Sequence, residues 1–311
     1  MTAEVVTAVA VAFAVVTGAN DGGALIAPGL RVPILNVPIS LAVLAGATVA
    51  LPLLAGTAVA STLMRSIVPP GDAGRTAVVT GFVVAVVVVA VLTRVGRPTS
   101  LTLAVIGGLT GAGFGFAVPV DTGVVGRVLA IGLAAPAVGM LLALLASSWW
   151  RPARGVRYLT AVRRAHVVAY VTQCVAYGAN DGQKMLVLFM IAGTGDSLEW
   201  WSYPVVAIAF ALGAVLGLPR VARTVGTGIL NVRPTHAVTA EMSAAVAVLG
   251  SSALGAPVSM TQAVTGGLLG AGVHQSYRRI RWEVVRNLVA AWMITLPVSA
   301  GLGALVGIVL S

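Results

Sequence analysis

Asp21 and Asp181 each close a copy of one tetrapeptide, Gly18-Ala19-Asn20-Asp21 and Gly178-Ala179-Asn180-Asp181, set 160 residues apart inside stretches that are otherwise almost purely apolar. A carboxylate at membrane depth costs at least ~2.5 kcal/mol on insertion scales. Two in matched places point to a held cation, the alternative for each being a paired, helix-capping aspartate. A second constellation recurs at an offset of 159. Gly96-Arg97-Pro98-Thr99-Ser100-Leu101-Thr102 matches Gly255-Ala256-Pro257-Val258-Ser259-Met260-Thr261, and both run on into glycine-rich segments. Proline followed by Ser or Thr marks a helix start. Two helix N-termini, with hydroxyls from Ser100, Thr102, Ser259 and Thr261, suit an oxyanion; ordinary N-capping uses the same groups.

Three further residues have chemical potential. Lys184, the only lysine, follows Asp181 by three residues. It either snorkels and pairs with Asp181 or Glu241, or helps to neutralise a bound dianion. The first half offers an apolar residue, Leu25, in the equivalent place. Glu241 either flanks a helix or joins the site. Gln183 lies between Asp181 and Lys184. His166, His236 and His274 lack metal-ligand spacing and are expected at the surface. No nucleophile–base pair, phosphate loop or zinc spacing is present, so the chain is not expected to be an enzyme or to carry a cofactor.

The elements that position these residues follow from composition. The 311 residues are 58% hydrophobic and 9% charged, and mean hydropathy is +1.00. Soluble domains carry about 25% charged residues, so the expectation is an all-α polytopic membrane protein. The net charge of +10 does not point to nucleic acid, because no aromatic–basic interleaving accompanies it. Cys174 is the single cysteine and forms no internal disulfide. Val5–Val16 resembles a short signal-peptide core, but no basic residue precedes it and it runs into the first tetrapeptide; it is expected to stay as a membrane helix.

Apolar runs predict about ten (10–12) transmembrane helices: roughly 4–28, 39–64, 76–93, 98–118, 128–148, 166–193, 203–218, 237–254, 257–273 and 285–310. Glycine and the buried acids predict unwound, broken helices or re-entrant segments at the motifs. Arginines crowd the loops at 151–164, 220–233 and 278–286, while the loop holding Asp196 and Glu199 has no base. Arginine-rich loops face the cytoplasm, which puts both termini outside; Arg65 and Arg75 disagree mildly. Trp149, Trp150, Trp200 and Trp201 flank spans as interface anchors. The organisation expected is a first repeat over 1–150, a basic cytoplasmic linker over 151–165 and a second repeat over 166–311. Five spans per half is odd, so the halves are expected in inverted topology, with a secondary-transport site at the midplane.

The two Gly-Ala-Asn-Asp motifs, the second continuing as Gly182-Gln183-Lys184, and the paired Pro-x-Ser-x-Thr motifs resemble the inorganic phosphate transporter (PiT) family. The stretch from Trp282 to Pro297, with Ala291-Trp292-Met293-Ile294-Thr295-Leu296-Pro297, is similar too. The resemblance covers nearly the whole chain. It implies an inverted-repeat fold in the plasma membrane, inorganic phosphate as substrate, and symport with Na⁺ or H⁺. It also implies that Asn20, Asp21, Asn180, Asp181, Ser100, Ser259 and Glu241 match functional positions. The expected substrate set is therefore Asn20, Asn180, Ser100, Thr102, Ser259, Thr261, Gln183 and Lys184. The expected coupling set is Asp21, Asp181 and Glu241, with Na⁺ at Asp21 and Asp181. Ala24, Leu101 and Met260 depart from the family pattern by removing polar groups, and the repeat partner of Glu241 is Phe82. These losses leave open a sulfate-carrying branch, or a non-transporting membrane scaffold or sensor. The expected partners are phosphate or sulfate and the lipid bilayer, with a homo-oligomer open.

Overall fold

The computed structural model describes residues 2–32, 34–149, 156–193 and 198–311. The helices run in order: α1 (Ala3–Thr17), α2 (Gly23–Ile26), α3 (Val37–Ala55), α4 (Ala58–Ser61), α5 (Asp72–Arg94), α6 (Leu101–Gly115) and α7 (Thr122–Ser147). The second half continues with α8 (Val156–Tyr177), α9 (Gln183–Ala192), α10 (Ser202–Arg223), α11 (Pro234–Ala253), α12 (Met260–Gln275) and α13 (Trp282–Leu310). The described residues contain no strand. Residues 156–165 open α8 rather than forming a linker, and 151–155 lie outside the described residues, as do Trp150 and Asp196.

Among the described residues six helices are long and apolar enough to cross a membrane: Ala3–Ile26, Val37–Leu54, Asp72–Arg94, Thr122–Ser147, Ser202–Arg223 and Trp282–Leu310. The other expected crossings fall outside that set. α6 has 15 residues and α12 has 16, so at 1.5 Å per residue each reaches only about 22–24 Å, short of a hydrocarbon core about 30 Å thick. Both begin deep in the protein, where Thr99, Ser100, Val258 and Ser259 are buried. The outer faces of the long helices stay apolar: Leu141, Leu212, Leu216 and Ile308 are all exposed.

The tetrapeptides are not unwound. Gly18–Gly22 and Gly178–Gly182 each form one π-helical turn, with flanking residues in the right-handed helical region, so the chain stays helical from Ala3 to Ile26 and from Val156 to Ala192. A π turn inserts one extra residue per turn and is a recurrent device at functional sites. The motif glycines serve close approach instead of unwinding. A Cβ at Gly18 would collide with the Phe210 carbonyl of α10, and one at Gly178 with the Ala47 carbonyl of α3.

These approaches are reciprocal. α1 and its π turn pack on α10, while α3 packs on α8 and the π turn that follows it. Likewise α6 packs on α13 and α12 on α7. Matching elements of the two halves thus exchange partners across the molecule, and the core runs unbroken between them.

Candidate functional site

The two asparagines hold the entrances to the short helices. Asn20 Nδ2 donates to the Thr99 carbonyl at 2.8 Å, and Asn20 Oδ1 accepts from the Thr99 amide at 3.0 Å and from Thr93 Oγ1 at 3.0 Å. Asn180 repeats the grip. Its Nδ2 donates to the Ala256 carbonyl at 3.2 Å and to Ser252 Oγ at 2.8 Å, and its Oδ1 accepts from the Val258 amide at 3.1 Å. Each amide therefore satisfies extended backbone that would otherwise be orphaned in the core. Ser100 and Ser259 then start α6 and α12, capping the Leu103 amide at 3.2 Å and the Gln262 amide at 3.5 Å. Capping is thus present at both helix starts, and the remaining first-turn amides give each N-terminus its partial positive charge.

Across the midline the halves interlock through the second hydroxyl of each motif. Thr261 Oγ1 donates to Asp21 Oδ1 at 3.2 Å, and Ser259 Oγ lies 3.2 Å from Thr261 Oγ1. Thr102 Oγ1 donates to the Val258 carbonyl at 2.8 Å and accepts from Lys184 Nζ at 2.7 Å. The lysine also bonds Asp181 Oδ1 at 2.7 Å. Of the two partners considered for Lys184 the structure gives Asp181; Glu241 is not bonded to it. By the 160-residue offset the counterpart of Lys184 is Ala24, and Leu25 pairs with Met185, which corrects the expected equivalence with Leu25.

Asp21 takes its other bonds from neutral donors. Asn20 Nδ2 reaches Asp21 Oδ1 at 2.7 Å, and Tyr177 OH reaches Asp21 Oδ2 at 2.9 Å. Gln183 Oε1 accepts from the Val59 and Ala60 amides at 2.8 and 3.2 Å, at the start of α4. These site residues are buried, apart from the half-buried Ser252. One surface cleft is lined by Glu4, Phe189 and Trp201, another by Arg94, Arg220 and Arg223, and neither includes a residue of the buried cluster. The arrangement presents two helix starts, two carboxylates and one ammonium within one closed, hydrogen-bonded centre.

Glu241 forms a separate pair. It is buried rather than interfacial, and its Oε2 lies 2.9 Å from Nδ1 of His166. His166 and His236 are buried, against the expectation of surface positions; only His274 is exposed. The repeat places Phe82 opposite Glu241, and that ring packs edge-on against Phe13 at 4.7 Å between centroids.

A model of the phosphate transporter family matches residues 151–303. A probable low-affinity inorganic phosphate transporter of Mycobacterium bovis is 30% identical over 321 aligned positions, covering 96% of this chain and 75% of that protein. The chain belongs to the phosphate transporter family. A Bacillus subtilis relative of the same description is 26% identical, over 97% of this chain and 95% of its own. A solved structure described as the sodium-dependent phosphate transporter superposes with a TM-score of 0.83, over 99% of this chain and 98% of that one. At 18% identity that likeness shows the fold alone.

Several residues of this family member's site were missed from the sequence. Thr93, Thr99, Tyr177, Ser252 and His166 all bond site residues. Thr99 Oγ1 also meets Thr295 Oγ1 at 2.5 Å, tying α13 to the start of α6. Thr295 lies within the Trp282–Pro297 stretch that resembles the family. Tyr177 directly precedes the second tetrapeptide, where the first half has Thr17; that break in the repeat was the available signal.

Proposed function

We infer that this membrane protein imports inorganic phosphate together with a monovalent cation, Na⁺ or H⁺, by alternating access. The observation that carries this is the reciprocal crossing at the centre. Thr261 of the second half bonds Asp21 of the first, and Thr102 of the first bonds Lys184, itself paired with Asp181 of the second. Two capped helix starts of opposite halves offer amides and hydroxyls to a tetrahedral oxyanion. The buried carboxylates offer oxygen to a cation. Ser100, Thr102, Ser259 and Thr261 are proposed to touch phosphate, and Lys184 to supply charge beside it. Asn20, Asn180 and Gln183 are proposed to act by holding the backbone in place, since their bonds to protein are already made. Asp21 and Asp181 are the proposed coupling groups, with Glu241 joined to His166 as a further one. The relatives named above are described as probable phosphate transporters, which supports the substrate, and the description of the solved structure is in keeping with sodium.

We also propose that the halves, near 1–150 and 166–311, enter the membrane in opposite senses. Both termini would then be outside, in a plasma membrane. Single cysteines at Tyr277 and Trp200, both exposed, in a Cys174→Ala background should label from opposite sides. Same-side labelling refutes the alternation of spans within the second half on which the inversion rests. Gly155 and Ser197 would serve the same test but lie outside the described residues. For substrate and coupling, purified protein in vesicles is given labelled phosphate or labelled sulfate, with sodium and pH gradients imposed separately. Gradient-dependent phosphate uptake is expected. Sulfate uptake in its place refutes the substrate, and uptake indifferent to both gradients refutes the coupling.

A further inference from the structure

Lys184 Nζ carries three N–H donors and meets three oxygens: Asp181 Oδ1 at 2.7 Å, Thr102 Oγ1 at 2.7 Å and the Val258 carbonyl at 2.5 Å. The side chain is fully buried. One carboxylate, one hydroxyl and one carbonyl converging in a site without water access are the oxygen ligands that a hard metal cation takes. The second carboxylate oxygen, Asp181 Oδ2, is buried with no hydrogen-bond partner.

The repeat offsets carry this ligand set into the other half. Asp181 maps to Asp21, Thr102 to Thr261, Val258 to Thr99, and Lys184 to Ala24. The mapped oxygens are again drawn together. Thr261 Oγ1 bonds Asp21 Oδ1 at 3.2 Å, and Asn20 Nδ2 bonds both Asp21 Oδ1 and the Thr99 carbonyl, at 2.7 and 2.8 Å. Here the buried carboxylate has only neutral donors, and among the described residues no cationic side chain is within ion-pair distance of it. A buried, unpaired carboxylate is costly, and a bound cation or proton relieves the cost.

We propose that the Lys184 ammonium is a tethered cation. It fills, beside Asp181, the position that a free monovalent cation takes beside Asp21. The two related sites therefore bind one free cation per chain instead of two. This rests on the cation-coupling reading above and narrows it: Asp21 keeps the free ion, while Asp181 is already neutralised by the lysine. The lysine gives the second half a permanent countercharge, at the expense of one ion's share of the driving force.

The test is labelled-sodium binding to purified protein in detergent, at fixed pH and without phosphate, for wild type, Lys184→Ala and Lys184→Ala/Asp181→Asn. Lys184→Ala should bind one more Na⁺ per chain than wild type. Its thermal midpoint should rise in sodium chloride relative to choline chloride by more than that of wild type. The double variant, lacking the carboxylate, should return to the wild-type count. A sodium count unchanged by Lys184→Ala overturns the proposal. A wild type that binds no sodium, with a variant that binds one, upholds the tethered cation and removes sodium from Asp21, so the two readings fail separately. If Lys184→Ala stays unfolded in sodium while the double variant folds, the site rejects a free cation and the proposal is overturned.

Discussion

The two Gly-Ala-Asn-Asp turns share a sequence, a π-helical backbone and an asparagine that grips the lead segment of a short helix, yet their aspartates live in different electrostatic worlds. Asp181 is paired with a buried ammonium, whereas Asp21 is held by an amide, a phenol and a threonine hydroxyl. Two substitutions relative to strict repetition account for the difference, Lys184 in place of Ala24 and Tyr177 in place of Thr17. The lesson is that duplication fixes backbone geometry, since each Asn Oδ1 accepts from the equivalent amide, Thr99 or Val258, and each Nδ2 holds a carbonyl of the same lead segment. Function resides in the few positions where the copies diverge.

The largest effect is expected from removing charge from one member of the buried pair. Breaking such a pair typically costs about 3–5 kcal/mol, while replacing both partners is often near neutral. Lys184→Met and Asp181→Asn should therefore each lower the thermal midpoint strongly, and the double variant should recover most of the loss. Additive losses in that double-mutant cycle would mean that the two side chains act independently.

Asp21→Asn should behave in the opposite way. Asn at 21 keeps an acceptor for Asn20 and Thr261 and presents an amide that Tyr177 OH can accept from, so only charge is lost. Stability should hold or rise, while phosphate uptake falls roughly 10- to 100-fold, as loss of a charge-assisted ligand worth ~1.5–3 kcal/mol implies. Vesicle uptake and a melting curve on the same preparation separate the two effects. Wild-type uptake would return Asp21 to a structural role.

The asparagines test what the halves share. Asn20→Ala strips partners from both the amide and carbonyl of Thr99, and Asn180→Ala does the same at Val258 and Ala256. Each unsatisfied buried group costs about 1–3 kcal/mol, so both variants should destabilise by similar amounts. Unequal losses, measured by thermal unfolding, would show that the clamps are not equivalent.

Much of this was legible because it depends on composition and repetition. Paired motifs at one offset located both turns and both helix starts. What escaped was of two kinds. The π turns replace the expected unwinding, because glycine inside an apolar run is equally consistent with a broken helix and with close helix packing; the carbonyls of Phe210 and Ala47 against Gly18 and Gly178 decide for packing. His166 looked superficial because it follows an arginine-rich stretch, but α8 begins at Val156 and carries the imidazole inward to Glu241. Partner identity across 75 residues of sequence leaves no local trace.

The smallest effect on stability falls on the two caps. Ser100 and Ser259 cap helices in the same register, but Ser259 also lies 3.2 Å from Thr261 Oγ1, which in turn bonds Asp21. No equivalent bond joins Ser100 to Thr102, whose hydroxyl is engaged by Lys184 and the Val258 carbonyl. Removing a serine cap costs ~0.5–2 kcal/mol, and the cap distances of 3.2 and 3.5 Å put both variants toward the lower end. Ser100→Ala and Ser259→Ala should thus melt within about 1 kcal/mol of each other. Their uptake should differ in kind. If both hydroxyls touch phosphate, each variant raises the phosphate KM. Only Ser259→Ala should also shift the cation dependence of uptake, because its hydroxyl reaches Asp21 through Thr261. Measuring phosphate KM at several cation concentrations distinguishes the two, and an equal shift in both variants would place the coupling cation equally near both helix starts.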